Sequence, residues 1–299
     1  MPKKKRLLAI IGGTAKLEPP AANVRSASVR KTPFGLASSV PSYWALPGGE
    51  RAVFLNRHGD FHQHNPTQIN YPANFWLLKK LGVTDVLSLS AVGSLMIDIA
   101  PGLTVVIPDQ FIDLTHRLQR TFFEDIAVHI GLGDPFCPQL REMCVLPVAD
   151  HAAAFCSQGT YITIEGPQFS TRAESLFYAN VMNGHVIGMT MATEARLARE
   201  AGLCFAGLAL PADFDAWRTD KECANADMIK ATLKKFEENL ILIVSAFITR
   251  FYAAARQPCA CANALKGMAV HTRMEEFFKT LPVKRREELL RKYQIFGIL

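Results

Sequence analysis

Apolar residues come along this chain in short runs, and most runs end in small or polar residues. RLLAIIGGT at 6–14 is such a run and predicts a strand feeding a tight turn. RAVFLNRHG at 51–59 repeats the form, with Val53, Phe54 and Leu55 in the strand and Arg57-His58-Gly59 leaving it. NYPANFWLLKKLG at 70–82 predicts a helix capped by Asn74, with Trp76, Leu77 and Leu78 inward and Gly82 closing it. Further strands are expected at VTDVLSLSAVGSL (83–95), LTVVIPDQFID (103–113), TYITIEGPQFS (160–170), HVIGMT (185–190) and LCFAGLAL (203–210). STRAESLFY and TEARLARE read as the helices after two of them, and 228–251 as one long amphipathic helix. Beyond about Tyr252 comes a small-residue loop, AAARQPCACANALKG. A charged helical stretch interrupted at Pro282 follows, and IFGIL ends the chain.

Strands alternating with helices predict an α/β fold: a mixed, largely parallel central sheet flanked by helices. The 299 residues fit one large domain or two ordinary ones. The polar residues that matter stand at strand exits: Thr14, Arg57, His58, Ser90, Ser94, Thr190, Asp213 and Asp215. Ligand sites in open α/β sheets gather at the carboxyl ends of strands, so these exits predict one shared pocket.

Charge changes this picture little. Much of the net +6 sits at the two ends, in MPKKKR and in KRREELLRK, so it does not argue for nucleic-acid binding. MPKKKR resembles a nuclear-localisation patch, but a solvated lead-in to the first strand is the plainer reading. LLAII is too short for a secretory signal and LILIVSAFI too short to span a bilayer; the expected location is the cytoplasm, with the nucleus second and no membrane partner. Seven scattered cysteines argue for a reducing compartment. Cys259 and Cys261 form C-x-C, but no other Cys or His pair stands at metal spacing, so no metal is expected.

The candidate chemistry has two ends. Gly12-Gly13-Thr14, Arg57, and Ser90 with the amide of Ala91 are parts of an oxyanion site. Taken alone, Arg57 could equally be a surface ion pair and His58 a packed core histidine. Asp213 and Asp215, two apart in PADFDAW, could cap a helix or face a ring nitrogen. In an apolar surround, supplied in part by Phe214 and Trp217, a carboxyl keeps its proton and can give it away. A phosphate cradle at one end and base-reading acids at the other fit a nucleoside cleaved by phosphate.

IIGGT, NRHG, INYPANFWLLKKLG, SAVGSL, IPDQFID, DPFCP, GTYITIEGPQFSTRAES, IGMT and PADFDAW lie in order across about 10–217. In this order they resemble the trimeric purine nucleoside phosphorylases, and within them the 5′-methylthioadenosine phosphorylase branch. The resemblance implies one phosphorylase domain over 1–299, with a core at 8–254 and a divergent extension at 255–299 packing near the 5′ pocket. It implies phosphate binding by Thr14, Arg57, His58, Ser90, Ala91 and Thr190. Met189 would lie against the ribose, with Phe169 and Ser170 bordering the base. His62 would stand near the sugar, and His129 would reach a neighbouring subunit's site in a homotrimer. Asp213 would face purine N7 and Asp215 the 6-amino group, giving Asp213, Asp215 and His58 the catalytic roles. No cofactor is implied; inorganic phosphate is a co-substrate.

Relatives selective for 6-oxopurines carry Glu and Asn where this chain has Ser170 and Asp213, so the resemblance points to 6-aminopurines. The expected reaction is phosphorolysis of 5′-methylthioadenosine, and of adenosine if the 5′ pocket is open. The alternatives are a 6-oxopurine phosphorylase and a silent nucleoside-binding protein. The chain departs from the family pattern at Ala15-Lys16, at Ala192-Thr193-Glu194, which replaces the family's Pro-Glu after the Met-Thr motif, and in the C-terminal region, where Ile295-Phe296 is a candidate lining for the 5′ pocket.

Overall fold

Five consecutive buried residues, Leu8–Gly12, make the first strand, and they sit at the centre of the molecule. The computed structural model describes residues 6–14, 17, 24–26, 30–45, 49–218, 226–255, 259–266 and 274–298. The departure at Ala15-Lys16 and most of the MPKKKR arm lie outside them. In chain order the elements are β1 (Leu8–Gly12), β2 (Val24–Ser26), β3 (Lys31–Thr32), β4 (Gly35–Leu36), β5 (Ser42–Ala45), β6 (Arg51–Asn56), α1 (Tyr71–Lys80), β7 (Asp85–Ser94), β8 (Thr104–Val106) and β9 (Gln110–Asp113). There follow α2 (Pro138–His151), β10 (Ala154–Cys156), β11 (Thr160–Thr163), α3 (Arg172–Asn180), β12 (Val186–Gly188), α4 (Met191–Glu200), β13 (Cys204–Phe214), α5 (Ala226–Ala253), α6 (Met274–Thr280) and α7 (Val283–Tyr293).

The main sheet runs β10-β8-β13-β7-β1-β6-β5-β2, and β12, β11 and β9 branch from the end of β7. β1 pairs parallel with β6 and β7, and β13 pairs parallel with β7. β12 meets β7 antiparallel, and β5 meets β6 antiparallel, so the sheet is mixed with a parallel centre. Such a centre is buried on both faces, which is why its strands read as unbroken apolar runs. One core joins Leu8, Ile10, Leu87 and Leu208 to Leu240, Val244 and Phe247 of α5. The other joins Ala9, Ile11 and Val86 to Phe75 of α1 and Leu197 of α4. Among the described residues no helix is long and apolar enough to cross a membrane.

Several expectations shift by a few residues. The side chain of Asn70, not Asn74, caps α1, accepting from the Ala73 amide at 3.1 Å. Pro72 sits in the first turn, where a missing N–H costs nothing. Asn74 is buried inside the helix, where it exchanges hydrogen bonds with Ser38. The stretch 103–113 is two strands, broken around Pro108, which cannot donate to a ladder. α2 gave no clear periodic signal and carries Pro147 in its interior. The interruption at Pro282 separates α6 from α7, as the sequence suggests. α7 docks on the core through Leu289 and Tyr293, and Phe296 packs on Phe122 at 4.6 Å.

Candidate active site

β1, β6, β7 and β13 run parallel, so their carboxyl ends share one edge of the sheet. A cavity of about 310 Å³ opens there. Its lining includes Thr14 from the turn after β1, Arg57 and His58 after β6, and Ser90 and Ala91 from β7. Met189 and Thr190 enter between β12 and α4, Phe169 and Ser170 ahead of α3, and His62 from the loop after β6. Asp213 and Asp215 complete it. Ser90 lies inside its strand, because β7 continues to Ser94. His129 does not line the cavity; it is exposed. Ile295 and Phe296 are also absent from the lining, packed instead against the core of Ala9, Ile11 and Val86.

Arg57 is buried, only 2% exposed, yet carries a full charge. Its Nε lies 2.9 Å from a carboxylate oxygen of Glu194, which is equally buried. Nη2 donates to the Leu89 carbonyl at 2.7 Å and to Ser88 Oγ at 2.8 Å, and Ser88 in turn donates to Glu194. Burial pushes the Glu194 carboxyl up, and Arg57 and Ser88 work against that rise. Nη1 reaches Thr190 Oγ1 at 3.5 Å. Gly13 makes room for this fork: a Cβ there would stand 2.7 Å from Nη1 and 3.0 Å from the Leu89 carbonyl. Thr190 is the N-cap of α4, and its side chain makes no capping bond, so the hydroxyl faces the cavity beside the positive end of the helix.

His58 stacks on His62 with ring centres 4.4 Å apart. Its Nδ1 lies 2.8 Å from the His64 carbonyl, so Nδ1 carries the proton and Nε2 is left as an acceptor. Burial first, then the Arg57 charge, lower its pKa to about 3, and the ring is neutral at pH 7.

At the other end, a bulge between Pro211 and Asp213 shifts the register of β13 on β7, and the pairing resumes at Asp213 with Gly93 and Phe214 with Ser94. Asp213 and Asp215 then alternate with Phe214, so both acids face the cavity. Phe214 and Trp217 are not in its lining. They pack on each other edge to face at 5.9 Å, and Trp217 Nε1 donates to the Ser94 carbonyl. The apolar surround of the acids comes instead from Val92, Ile164, Ile187, Ala212 and Ile229. Burial, then the neighbouring Asp215 charge, raise the Asp213 pKa to about 7. Burial also raises Asp215, against the hydroxyls of Ser175 and Ser170.

The family model of the phosphorylase superfamily matches residues 8–249. The chain belongs to this superfamily. It is 39% identical over 267 residues to the S-methyl-5′-thioadenosine phosphorylase of Hyperthermus butylicus, covering 89% of this chain and 96% of that one. It is 40% identical over 263 residues to the enzyme of the same name from Geobacter sulfurreducens, covering 87% and 90%. Among solved structures it resembles a methylthioadenosine phosphorylase from an antarctic soil metagenomic library, with a TM-score of 0.83 and 36% identity over 97% of this chain and 99% of that one. The methylthioadenosine phosphorylase of Schistosoma mansoni in complex with adenine gives 0.77 and 31%, over 84% and 93%.

In this phosphorylase-superfamily chain, two buried residues escape the strand-exit reading. Glu194 sits in the first turn of α4 and is the counter-charge of Arg57. In the sequence it stood only as the last residue of the departure Ala192-Thr193-Glu194, with nothing along the chain to tie it to Arg57. Arg117 lies in a loop with no periodicity to mark it. It donates to Tyr71 Oη at 2.9 Å, to the Glu165 carbonyl at 3.0 Å and to the Met189 carbonyl, so it ties α1 to the segments that carry the lining residues Ile164 and Met189. Thr193, where the family pattern expects Pro, lies 3.3 Å from the same guanidinium.

Proposed function

We propose that this chain cleaves 5′-methylthioadenosine with inorganic phosphate, giving adenine and 5-methylthioribose 1-phosphate. It is a pentosyltransferase of purine and methionine salvage. The observation that carries this reading is the polarity of the cavity: a buried guanidinium and a helix N-terminus at one end, two raised carboxyls at the other. Phosphate sits against Arg57, Thr14, Ser90, Ala91 and Thr190, where amides, hydroxyls and a helix terminus favour an anion. Neutral His58 accepts a hydrogen bond from a protonated phosphate oxygen through Nε2. A phosphate oxygen attacks C1′ from the face opposite the base, the C1′–N9 bond breaks, and its electrons pass into the purine. Asp213, half protonated near pH 7, gives its proton to N7 as the ring leaves. Asp215 reads the 6-amino group, Met189 and His62 border the ribose, and Phe169 and Ser170 border the base. The chemistry needs no cofactor.

The chain works as one phosphorylase unit in a homotrimer. Exposed His129 then reaches the 5′ group in a neighbouring site, and the 94%-exposed Leu118 is covered there. The test measures adenine release from methylthioadenosine, adenosine and inosine, with and without phosphate. Release from methylthioadenosine only when phosphate is present, with inosine inert, is the expected result; the adenosine rate reports how open the 5′ end is. Equal release without phosphate would mean hydrolysis, and preference for inosine would mean a 6-oxopurine enzyme.

A further inference from the structure

Chain spacing showed only the C-x-C pair, but folding brings two more cysteines to it. The sulfurs of Cys137, Cys204, Cys259 and Cys261 all lie within 4.8 Å of one another, and Cys204 and Cys259 are 3.3 Å apart. Three are buried and Cys259 is half-buried. A tetrahedral zinc with Zn–S bonds of about 2.3 Å needs sulfurs about 3.8 Å apart, the scale of this cluster. The residues come from three places. Cys137 is the N-cap of α2, Cys204 opens β13, and the pair follows α5. The frame holds them: the Cys137 amide donates to the Phe205 carbonyl at 2.8 Å and the Cys204 amide to the Thr84 carbonyl at 3.0 Å. The C-x-C turn lies on Gly202, where a Cβ would stand 3.5 Å from the carbonyl oxygens of Cys261 and Ala262. Cys137 makes no side-chain capping bond, so its sulfur stands by the positive end of a fourteen-residue helix, which favours a thiolate.

We propose that these four cysteines form a structural site for a tetrahedral, thiolate-binding divalent cation, with zinc as the ion. Four protein ligands leave no open position, so the metal does not enter the reaction. Cys204 and Asp213 stand at opposite ends of β13, nine residues and about 30 Å apart. Binding releases up to four thiol protons to solvent and involves no oxidation. Its effect is to fasten the segment after α5 to the amino edge of the sheet.

The experiment measures zinc in the full chain, expressed with zinc supplementation and purified with a non-thiol reductant. One zinc per chain, retained on gel filtration and released by a mercurial, is expected. Cys261→Ser and Cys259→Ser should each lower it at least tenfold, and Cys156→Ser, outside the cluster, should leave it unchanged. Cobalt bound to the reduced wild-type chain should show the intense visible bands of a tetrahedral thiolate site, a readout that needs no variant to fold. Failure of the reduced wild-type chain to bind either zinc or cobalt would overturn the proposal. So would zinc that persists in both cluster variants, or recovery of the four cysteines as two disulfides from cells lysed in alkylating reagent.

Discussion

The two ends of the cavity handle buried charge in opposite ways. At the Arg57 end a cation and an anion are both buried, and each meets the other's charge at 2.9 Å. At the Asp213 end two groups of the same sign share an apolar wall. A buried pair of opposite sign keeps both charges, provided its remaining hydrogen bonds are met, as Ser88 and the Leu89 carbonyl meet them here. A buried pair of like sign cannot, and one member holds a proton near neutral pH. One end therefore offers a fixed field for an anion, and the other a movable proton for a leaving base.

The largest effect should follow from removing the movable proton. Asp213→Asn keeps the shape but cannot transfer a proton, and kcat/KM for methylthioadenosine should fall about 10²–10⁴-fold, the usual worth of a general acid. A loss below tenfold in steady-state assays would mean that the acid pair only binds. The paired end should answer in stability. Glu194→Leu leaves Arg57 buried without a counter-charge and should cost about 3–5 kcal/mol in urea melts. An unchanged midpoint would show that water or another group already neutralises Arg57.

Asp213 and His58 also differ in the sign of their pH dependence. Asp213 has a folded pKa of about 7, above the unfolded value near 3.9, so between these the native state holds more protons. Its contribution makes stability fall as pH rises through that window. His58 has a folded pKa of about 3, below the unfolded value near 6.5, so it makes stability rise with pH between them. The two slopes oppose each other between about pH 4 and 6.5. Asp213→Asn should unmask the histidine slope, at most about 1.4 kcal/mol per pH unit, and should stabilise the chain at pH 8. His58→Asn should unmask the opposite slope. Identical melts for wild type and both variants from pH 4 to 8 would remove the electrostatic distinction between the two ends. In kcat/KM profiles, activity should decline above about pH 7 as Asp213 loses its proton.

How much of this was legible follows from what leaves a periodic or local signal. β1, β6, β7 and β13 are buried on both faces, so their apolar runs stood out, and the residues just beyond them pointed to the edge where the cavity lies. Asp213 and Asp215 were visible as two acids at one strand end. The identity of their apolar wall was not: Phe214 is adjacent in sequence, but strand alternation turns it away, and distant Ile164 and Ile187 take its place. Arg117, Glu194 and the four-cysteine cluster depend on contacts between segments dozens of residues apart, which spacing along the chain does not encode. α2 was missed for the opposite reason: its faces are not sharply divided between polar and apolar.

The smallest effect tests the wall between the two ends. Arg117 braces it, donating to the carbonyl of Met189, which lines the cavity, and to the carbonyl of Glu165, next to the lining residue Ile164. Thr193 adds a weak bond to that guanidinium at 3.3 Å, where the family pattern has Pro. Position 193 lies in the first turn of α4, whose leading amides have no intrahelical partner, so Pro fits there without breaking the helix. Thr193→Pro therefore removes one hydrogen bond from an arginine that keeps its bonds to Tyr71, Glu165 and Met189, and it should change stability by no more than about 1 kcal/mol. Both KM values and kcat should stay within about threefold, a difference of under 1 kcal/mol in barrier. A larger drop confined to the nucleoside KM would mean that Thr193 sets the position of Met189. A drop confined to the phosphate KM would mean that it acts through the start of α4, and the wall would then belong to the anion end alone.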